Sequence, residues 1–281
     1  MKKCPFCGKG YPDDVVRCMI DGELLASGNP PSAATTDESA TIPLPSPAPS
    51  RPWTERQIRT FELALVCLIA FGTAIFASGH SLFYGIYSRP ISGTYGWVYN
   101  MLRESMALAL LWYVLMRRGK TFADLGLNWT GKDAGWSLLL RLGGSLAYSA
   151  VYSALYHTGL TSESHHAASV RVGHLLFGGG FSEAAILFQF LNPFFEELIV
   201  RAYVITEIKF LTGSMAKAVM VSTLLQTSYH FYQGTPAAIA HGATFLIFSI
   251  YYAKTNRIAP VILAHLYSDV YGALWYRFNY Q

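Results

Sequence analysis

The sequence predicts an all-α fold: a polytopic transmembrane bundle of about seven helices behind a small N-terminal head. Three observations predict it. Only 14% of the 281 residues are charged and 52% are hydrophobic, whereas soluble domains carry about 25% charge. Beyond residue 52 the chain divides into apolar runs of about 20 residues, the length that crosses a bilayer as helix. Lysine and arginine gather at every second connection between those runs.

The head occupies residues 1–26 and reads "MKKCPFCGKGYPDDVVRCMIDGELL" up to Leu25. Cys4 and Cys7 form a C-x2-C pair, and Cys18 with Asp21 forms a C-x2-D pair. Two thiolates at the first spacing grip one tetrahedral Zn²⁺, which Cys18 and either Asp21 or water complete. So short a segment buries too little surface to fold alone, so a structural zinc is its route to a fold. Reduced, unliganded cysteines on a disordered tail are the competing reading. The phrase resembles the compact bacterial zinc-ribbon pattern, which implies zinc on Cys4, Cys7, Cys18 and Asp21 and a bacterial source. Cys67, alone in an apolar run, packs as a small hydrophobe. No apolar stretch follows Lys2 and Lys3 as in a signal peptide, and no basic stripe with interleaved aromatics suggests nucleic acid.

Residues 27–52, rich in Pro, Ser, Ala and Thr, form a disordered or extended linker. Residues 53–281 form the membrane domain, with spans near 60–79, 93–116, 134–156, 183–208, 214–231, 236–254 and 258–277. Arg103 and Glu104 interrupt the second span and Arg141 the third. Such groups either sit at an interface or face the bundle interior. Arg51, Arg56 and Arg59 precede the first span; Arg117, Arg118, Lys120 and Lys132 follow the second. Lys209 and Lys217, then Lys254 and Arg257, mark the same side further on, while the opposite side carries little beyond Arg89 and Arg171. The positive-inside rule then places the N-terminus and head in the cytoplasm and the C-terminus outside the cell membrane. The 18 tyrosines and 6 tryptophans suit interfacial anchoring in the lipid bilayer.

Polar residues inside the spans point to a site. In "NPFFEELIVR", Glu197 and Arg201 are i,i+4 neighbours able to pair. Glu196 points about 100° away from Glu197, so Arg201 neutralises it poorly and leaves it available as a proton acceptor. Asn192, one turn earlier, is placed to hydrogen-bond Glu196. Gln226 and His230 share a face in "LLQTSYHFYQG", as do His265 and Asp269 in "HLYSD". A histidine with a carboxylate one turn away has its tautomer fixed, or the two bind one metal. Each feature also has a plainer reading as a packing hydrogen bond or an interfacial group. His241 has no partner in sequence and reads as structural, while "SESHH" and His174 read as solvated residues of an external loop.

Together, E-E-x-x-x-R at 196–201, His230 at the histidine of F-x-x-x-H, and H-x-x-x-N/D at 265–269 resemble the CPBP intramembrane proteases: the CAAX-protease, bacteriocin-processing and Abi group. "TFADLGLNW" also resembles a loop often found before the third span, so the likeness runs over roughly 93–277. It implies an all-α membrane bundle hydrolysing a peptide or membrane-protein substrate. Glu196 and His230 would activate water; His265 and Asp269 would stabilise the tetrahedral intermediate or complete a catalytic metal site. The residues leave metal-dependent and metal-free arrangements open. Two positions depart from the pattern: Gln226 replaces an aromatic and adds a polar group to the cavity wall, and Asp269 stands where Asn is frequent. A non-catalytic scaffold or bacteriocin-immunity-type binder, or a proton- or metal-relaying transporter, would use the same residues differently. The head has three open roles: recruiting a cytoplasmic partner, sensing metal or oxidation, or tethering the linker.

Overall fold

The computed structural model describes residues 2–4, 10–18, 25, 53–84, 94–177 and 182–280. Cys7, Asp21 and the 27–52 linker lie outside the described residues. The chain divides into two compact units, Met1–Ser50 and Arg51–Gln281. In the first, strand β1 (Lys2–Lys3) pairs antiparallel with β2 (Gly10–Tyr11), Lys2 opposite Tyr11. Cys4, Tyr11, Cys18 and Leu25 are buried in one cluster, with the Tyr11 hydroxyl 3.1 Å from Cys18 Sγ.

The second unit is a transmembrane helix bundle. Its helices are α1 (Glu55–Tyr84), α2 (Thr94–Arg117), α3 (Asp133–His157), α4 (His165–Phe177) and α5 (Glu183–Glu196), followed by α6 (Val204–Thr212), α7 (Met215–Ser228), α8 (Thr235–Thr255) and α9 (Ala259–Tyr280). A π-helical turn, Glu197–Tyr203, joins α5 to α6 without a break. Large apolar side chains such as Leu68, Phe76, Leu138, Leu139, Leu142 and Leu187 stand exposed on the outside, as suits helices solvated by acyl chains. Among the described residues, α1, α3 and α8 are long and apolar enough to cross a membrane by length and composition.

Charges tie one end of the bundle together. Arg59 of α1 grips Glu207 of α6 with two bonds, 2.8 and 2.9 Å. Arg118, just beyond α2, bridges Glu207 to Glu62 of α1, and Arg117 adds a 3.2 Å contact to Glu62. Arg257, between α8 and α9, pairs with Asp133 of α3 at 2.6 Å. Arg103 and Glu104 resolve to the interior: Arg103 donates to the Ala70 carbonyl of α1 at 2.6 Å and contacts Glu104 at 3.3 Å, with Glu104 only 1% exposed.

Two helices depart from uniform spanning, and both departures place the site. Helix α7 has 14 residues, about 21 Å at 1.5 Å per residue, short of the ~30 Å hydrocarbon layer. It stops at Ser228, so the turn carrying His230 lies inside the bundle, and a 3-10 turn (Phe231–Gln233) leads into α8. Counting helix depth from a common surface puts His230 about two turns deeper than His265. Both nonetheless line one cavity, and the start of α9 is fully covered by protein: Ile258, Ala259, Val261 and Ile262 are each 0% exposed. The segment 121–130 holds it there. Gly126 has φ +85°, its carbonyl accepts the Ile258 amide at 3.1 Å, and a Cβ at Gly126 would lie 2.0 Å from the Asn256 carbonyl oxygen.

Residues 165–177 correct the external-loop reading. They form helix α4, capped by Ser164, whose Oγ accepts from the Ala167 amide at 3.2 Å. Ala168, Gly173 and Phe177 are its buried positions, and the Tyr276 ring would lie 2.7 Å from a Cβ at Gly173. His174 Nδ1 lies 2.6 Å from the Tyr276 hydroxyl of α9. The three polar histidines mask that buried face in the sequence.

Gly126→Ala meets both a disfavoured φ and a rigid backbone oxygen. It should cost at least about 2 kcal/mol, read as a lowered thermal unfolding midpoint in detergent. An unchanged midpoint would mean the 121–130 segment does not hold α9 in place.

Candidate active site

The two adjacent glutamates point at different helices. Glu196 ends α5, is 8% exposed, and faces α7: its Oε2 accepts from Gln226 Nε2 at 2.8 Å and from the Tyr229 hydroxyl at 2.9 Å. Its Oε1 has no hydrogen-bond partner among the described residues. Asn192 makes no bond to it; α7 supplies both donors. Gln226 is likewise not part of the cavity wall as expected from the sequence. It is fully buried and ties the site together, its side chain on Glu196 and its carbonyl 2.8 Å from His230 Nδ1.

A carbonyl oxygen only accepts, so His230 carries a proton on Nδ1 and presents Nε2 as a free lone pair when neutral. The turn bearing His230 is held from two sides. Ser78 of α1 donates to the Tyr229 carbonyl at 2.7 Å and accepts from the Tyr232 amide at 3.3 Å. Arg171 of α4, bidentate to Glu163 at 2.8 and 2.9 Å, donates to the Gln233 carbonyl at 2.8 Å. Tyr229 also stacks on Phe71 of α1, with ring centroids 4.7 Å apart.

Glu197 turns the other way. Its Oε2 lies 2.7 Å from Arg201 Nη1, and its Oε1 lies 2.7 Å from His265 Nδ1 on α9. The Arg201 contact is an ion pair without hydrogen-bond geometry. The guanidinium, 0% exposed, is also flanked by the rings of Phe245 and Phe248 at 5.4 and 5.5 Å. His265 therefore has its Nδ1–H fixed by Glu197 across the bundle, not by Asp269 one turn along its own helix. Asp269 Oδ1 lies 3.7 Å from His265 Nε2, too far for a hydrogen bond.

The π-turn that carries Glu197 has its carbonyls covered by hydroxyls. Ser222 of α7 donates to the Val200 carbonyl at 2.8 Å, and Thr206 to the Ala202 carbonyl at 2.6 Å. A hydrogen bond left unmade at bilayer depth is costly, so these hydroxyls hold the wider turn in place.

A cavity of about 640 Å³ opens beside these groups. Glu197, His230, His265 and Asp269 line it, together with Arg141 and Tyr148 of α3, residues of α4, and His241 and Phe245 of α8. Glu196 stands one layer behind the wall, within electrostatic reach of His230 and His265. His241 was not legible as a site residue. Its ring lies 5.8 Å from that of His230 and 4.6 Å from that of Tyr148, a proximity made by tertiary packing with no sequence spacing to announce it. Among the described residues no group of three or more His, Cys, Asp or Glu has metal-holding geometry.

The bonding separates the two glutamates experimentally. Glu197→Gln strands the buried Arg201 charge and should cost about 3–5 kcal/mol, while Glu196→Gln keeps an oxygen for both donors and should cost under about 1 kcal/mol. Thermal unfolding of the two purified variants checks this; equal midpoints would remove Glu197 as the bridge.

The comparisons with known proteins bear on the same segment. Residues 179–271, a third of the chain, match the family model described as type II CAAX prenyl endopeptidase Rce1-like. No curated protein and no solved structure matches the chain. The matched stretch holds both glutamates, Arg201, Gln226, His230, His265 and Asp269, the residues whose motifs resemble the CAAX-protease (CPBP) group.

Proposed function

We propose that the protein is an intramembrane endopeptidase that hydrolyses a peptide or membrane-protein substrate with a water activated by Glu196 and His230. The observation that carries this reading is the bonding around Glu196. One carboxylate oxygen is committed to Gln226 and Tyr229, the other is uncommitted, and His230, within electrostatic reach of Glu196, keeps its Nε2 free. A carboxylate held this way is oriented as a general base. Water entering past His230 gives its proton to Glu196 Oε1 while its oxygen bonds to the scissile carbonyl carbon. His265 in its imidazolium form donates from Nε2 to the oxyanion. The C–N bond then breaks, and the proton passes from Glu196 to the leaving amine. Asp269 faces the same cavity and, in its protonated form, would donate its O–H to the same oxyanion. Every step uses side chains of this chain alone, and the family match supports the reaction class.

The membrane location follows from the helices and the family; the orientation is our proposal. The end that gathers Arg59, Arg117, Arg118 and Arg257 faces the cytoplasm, with the head on that side and the C-terminus outside. We also propose that the head holds a structural zinc on Cys4, Cys7, Cys18 and Asp21. Two of these, Cys4 and Cys18, are buried in the same small cluster although 14 positions apart.

Protein termini should be compared in host membranes holding the wild type or Glu196→Gln at matched levels. Neo-termini should fall at least ~100-fold in the variant, and the purified wild type should cleave the same sequences directly. Identical termini, with the wild-type phenotype intact, would sink proteolysis and favour a binding scaffold. For the head, elemental analysis should find about one zinc per chain, lost in Cys4→Ser; a zinc-free wild-type protein would refute the site.

A further inference from the structure

Arg141 is a charge in an apolar helix with no partner to explain it. It lies within α3, a helix whose Leu138, Leu139, Leu142 and Leu146 stand exposed toward lipid. Ser137, Arg141, Ser145 and Tyr148 recur at helical spacing on the opposite, inward face. In this unit Arg59, Arg103, Arg117, Arg118, Arg171, Arg201 and Arg257 each face a carboxylate. The Arg141 guanidinium has neither ion pair nor hydrogen bond among the described residues; its neighbour is the Tyr271 ring at 5.2 Å. Asp269 acts on it electrostatically, yet no ion pair forms. Arg141 lines the cavity that also holds His230, His265 and Asp269. An unpaired ionised residue at membrane depth marks a ligand pathway by default.

We infer that Arg141 is the anion-binding subsite of this cavity and receives a carboxylate of the bound peptide. The inference rests on the peptidase reading and names what that site recognises. A planar guanidinium takes a carboxylate through two parallel bonds, and the hydroxyls of Ser145 and Ser149 on the same helix also line the cavity. Glu197 and Asp269 already place two carboxylates along it, so a singly charged anion fits better than a phosphate dianion. The carboxylate belongs either to the peptide's C-terminus or to an Asp or Glu side chain. Docked on Arg141, it fixes the register in which the backbone crosses the hydrolytic groups. Arg141 is then a specificity-determining residue.

The test uses the full chain bearing Glu196→Gln in nanodiscs of phosphatidylcholine and three random peptide libraries. One has free-acid C-termini and no Asp or Glu, one is amidated with internal Asp and Glu, and one is amidated with neither. Retained peptides are sequenced. Retention of the first or second library over the third is expected, and identifies the source of the carboxylate. Adding Arg141→Gln should lower that enrichment at least tenfold, and Arg141→Lys should restore part of it with an unfolding midpoint matching the parent. Equal retention of the third library, a preference that survives Arg141→Gln, or no retention at all overturns the subsite. So does Arg141-dependent co-purification of anionic phospholipid without a peptide preference. The chain with Glu196 intact separates the two claims. Cleavage indifferent to Arg141 defeats the subsite alone, and carboxylate-selective retention without cleavage defeats hydrolysis alone.

Discussion

The Glu197 carboxylate is the interaction on which the membrane unit depends. It sits between a fully buried arginine and a histidine of another helix, at 2.7 Å from each. Taking charges out of water costs several kcal/mol per ion even after relaxation, so none of the three could occupy the interior singly. Shared among them, the cost becomes a geometric constraint. Helix α9 must lie where His265 reaches Glu197, and α8 must bring Phe245 and Phe248 over the Arg201 guanidinium. The neighbouring carboxylate is thereby released from any structural duty toward Arg201.

That division needs irregular backbone, and irregular backbone at bilayer depth must be satisfied within the protein. Pro193, which lacks an N–H, and the π-turn of Glu197–Tyr203 loosen the chain where the two glutamates diverge. Ser222, Thr206 and Tyr252 supply hydroxyls to the carbonyls of that turn. The same logic governs the end of α7. Its turn would expose peptide groups to lipid, and Ser78 from α1 and Arg171 from α4 take them up. Ser78 and Arg171, outside the family-matched stretch 179–271, thus hold the turn bearing His230 in place.

This explains which parts were legible in the sequence. Features carried by one helix were readable, because period and i,i+4 spacing survive in a linear string: the apolar runs, the divergence of Glu196 from Glu197, and the Glu197–Arg201 contact. Features made by two helices were not. Gln226 read as a cavity-wall residue because nothing in its own helix reveals Glu196 30 positions upstream. Asp269 read as the partner that orients His265, yet Glu197, 68 positions away, accepts the hydrogen bond from its Nδ1. Helix α4 was obscured by its histidines, and the packing of the start of α9 by distance in the chain: the Gly126 carbonyl that accepts the Ile258 amide lies far upstream.

What distinguishes this site from an ordinary buried polar cluster is the uneven commitment of its atoms. Glu196 Oε2, His230 Nδ1 and His265 Nδ1 each face a partner within 3 Å. On the same three side chains, Glu196 Oε1 and both Nε2 atoms have no hydrogen-bond partner among the described residues. Each unmet polar atom in a low-dielectric interior costs free energy. Here one side of each group is fixed and the other left open, the two histidines on the wall of a cavity of about 640 Å³ and Glu196 one layer behind it. Fixing the first orients the second without using it, which is the preorganisation that the proposed hydrolysis would draw on. At Glu197 the balance differs: its carboxylate is held from both sides, by the Arg201 charge and by His265 Nδ1.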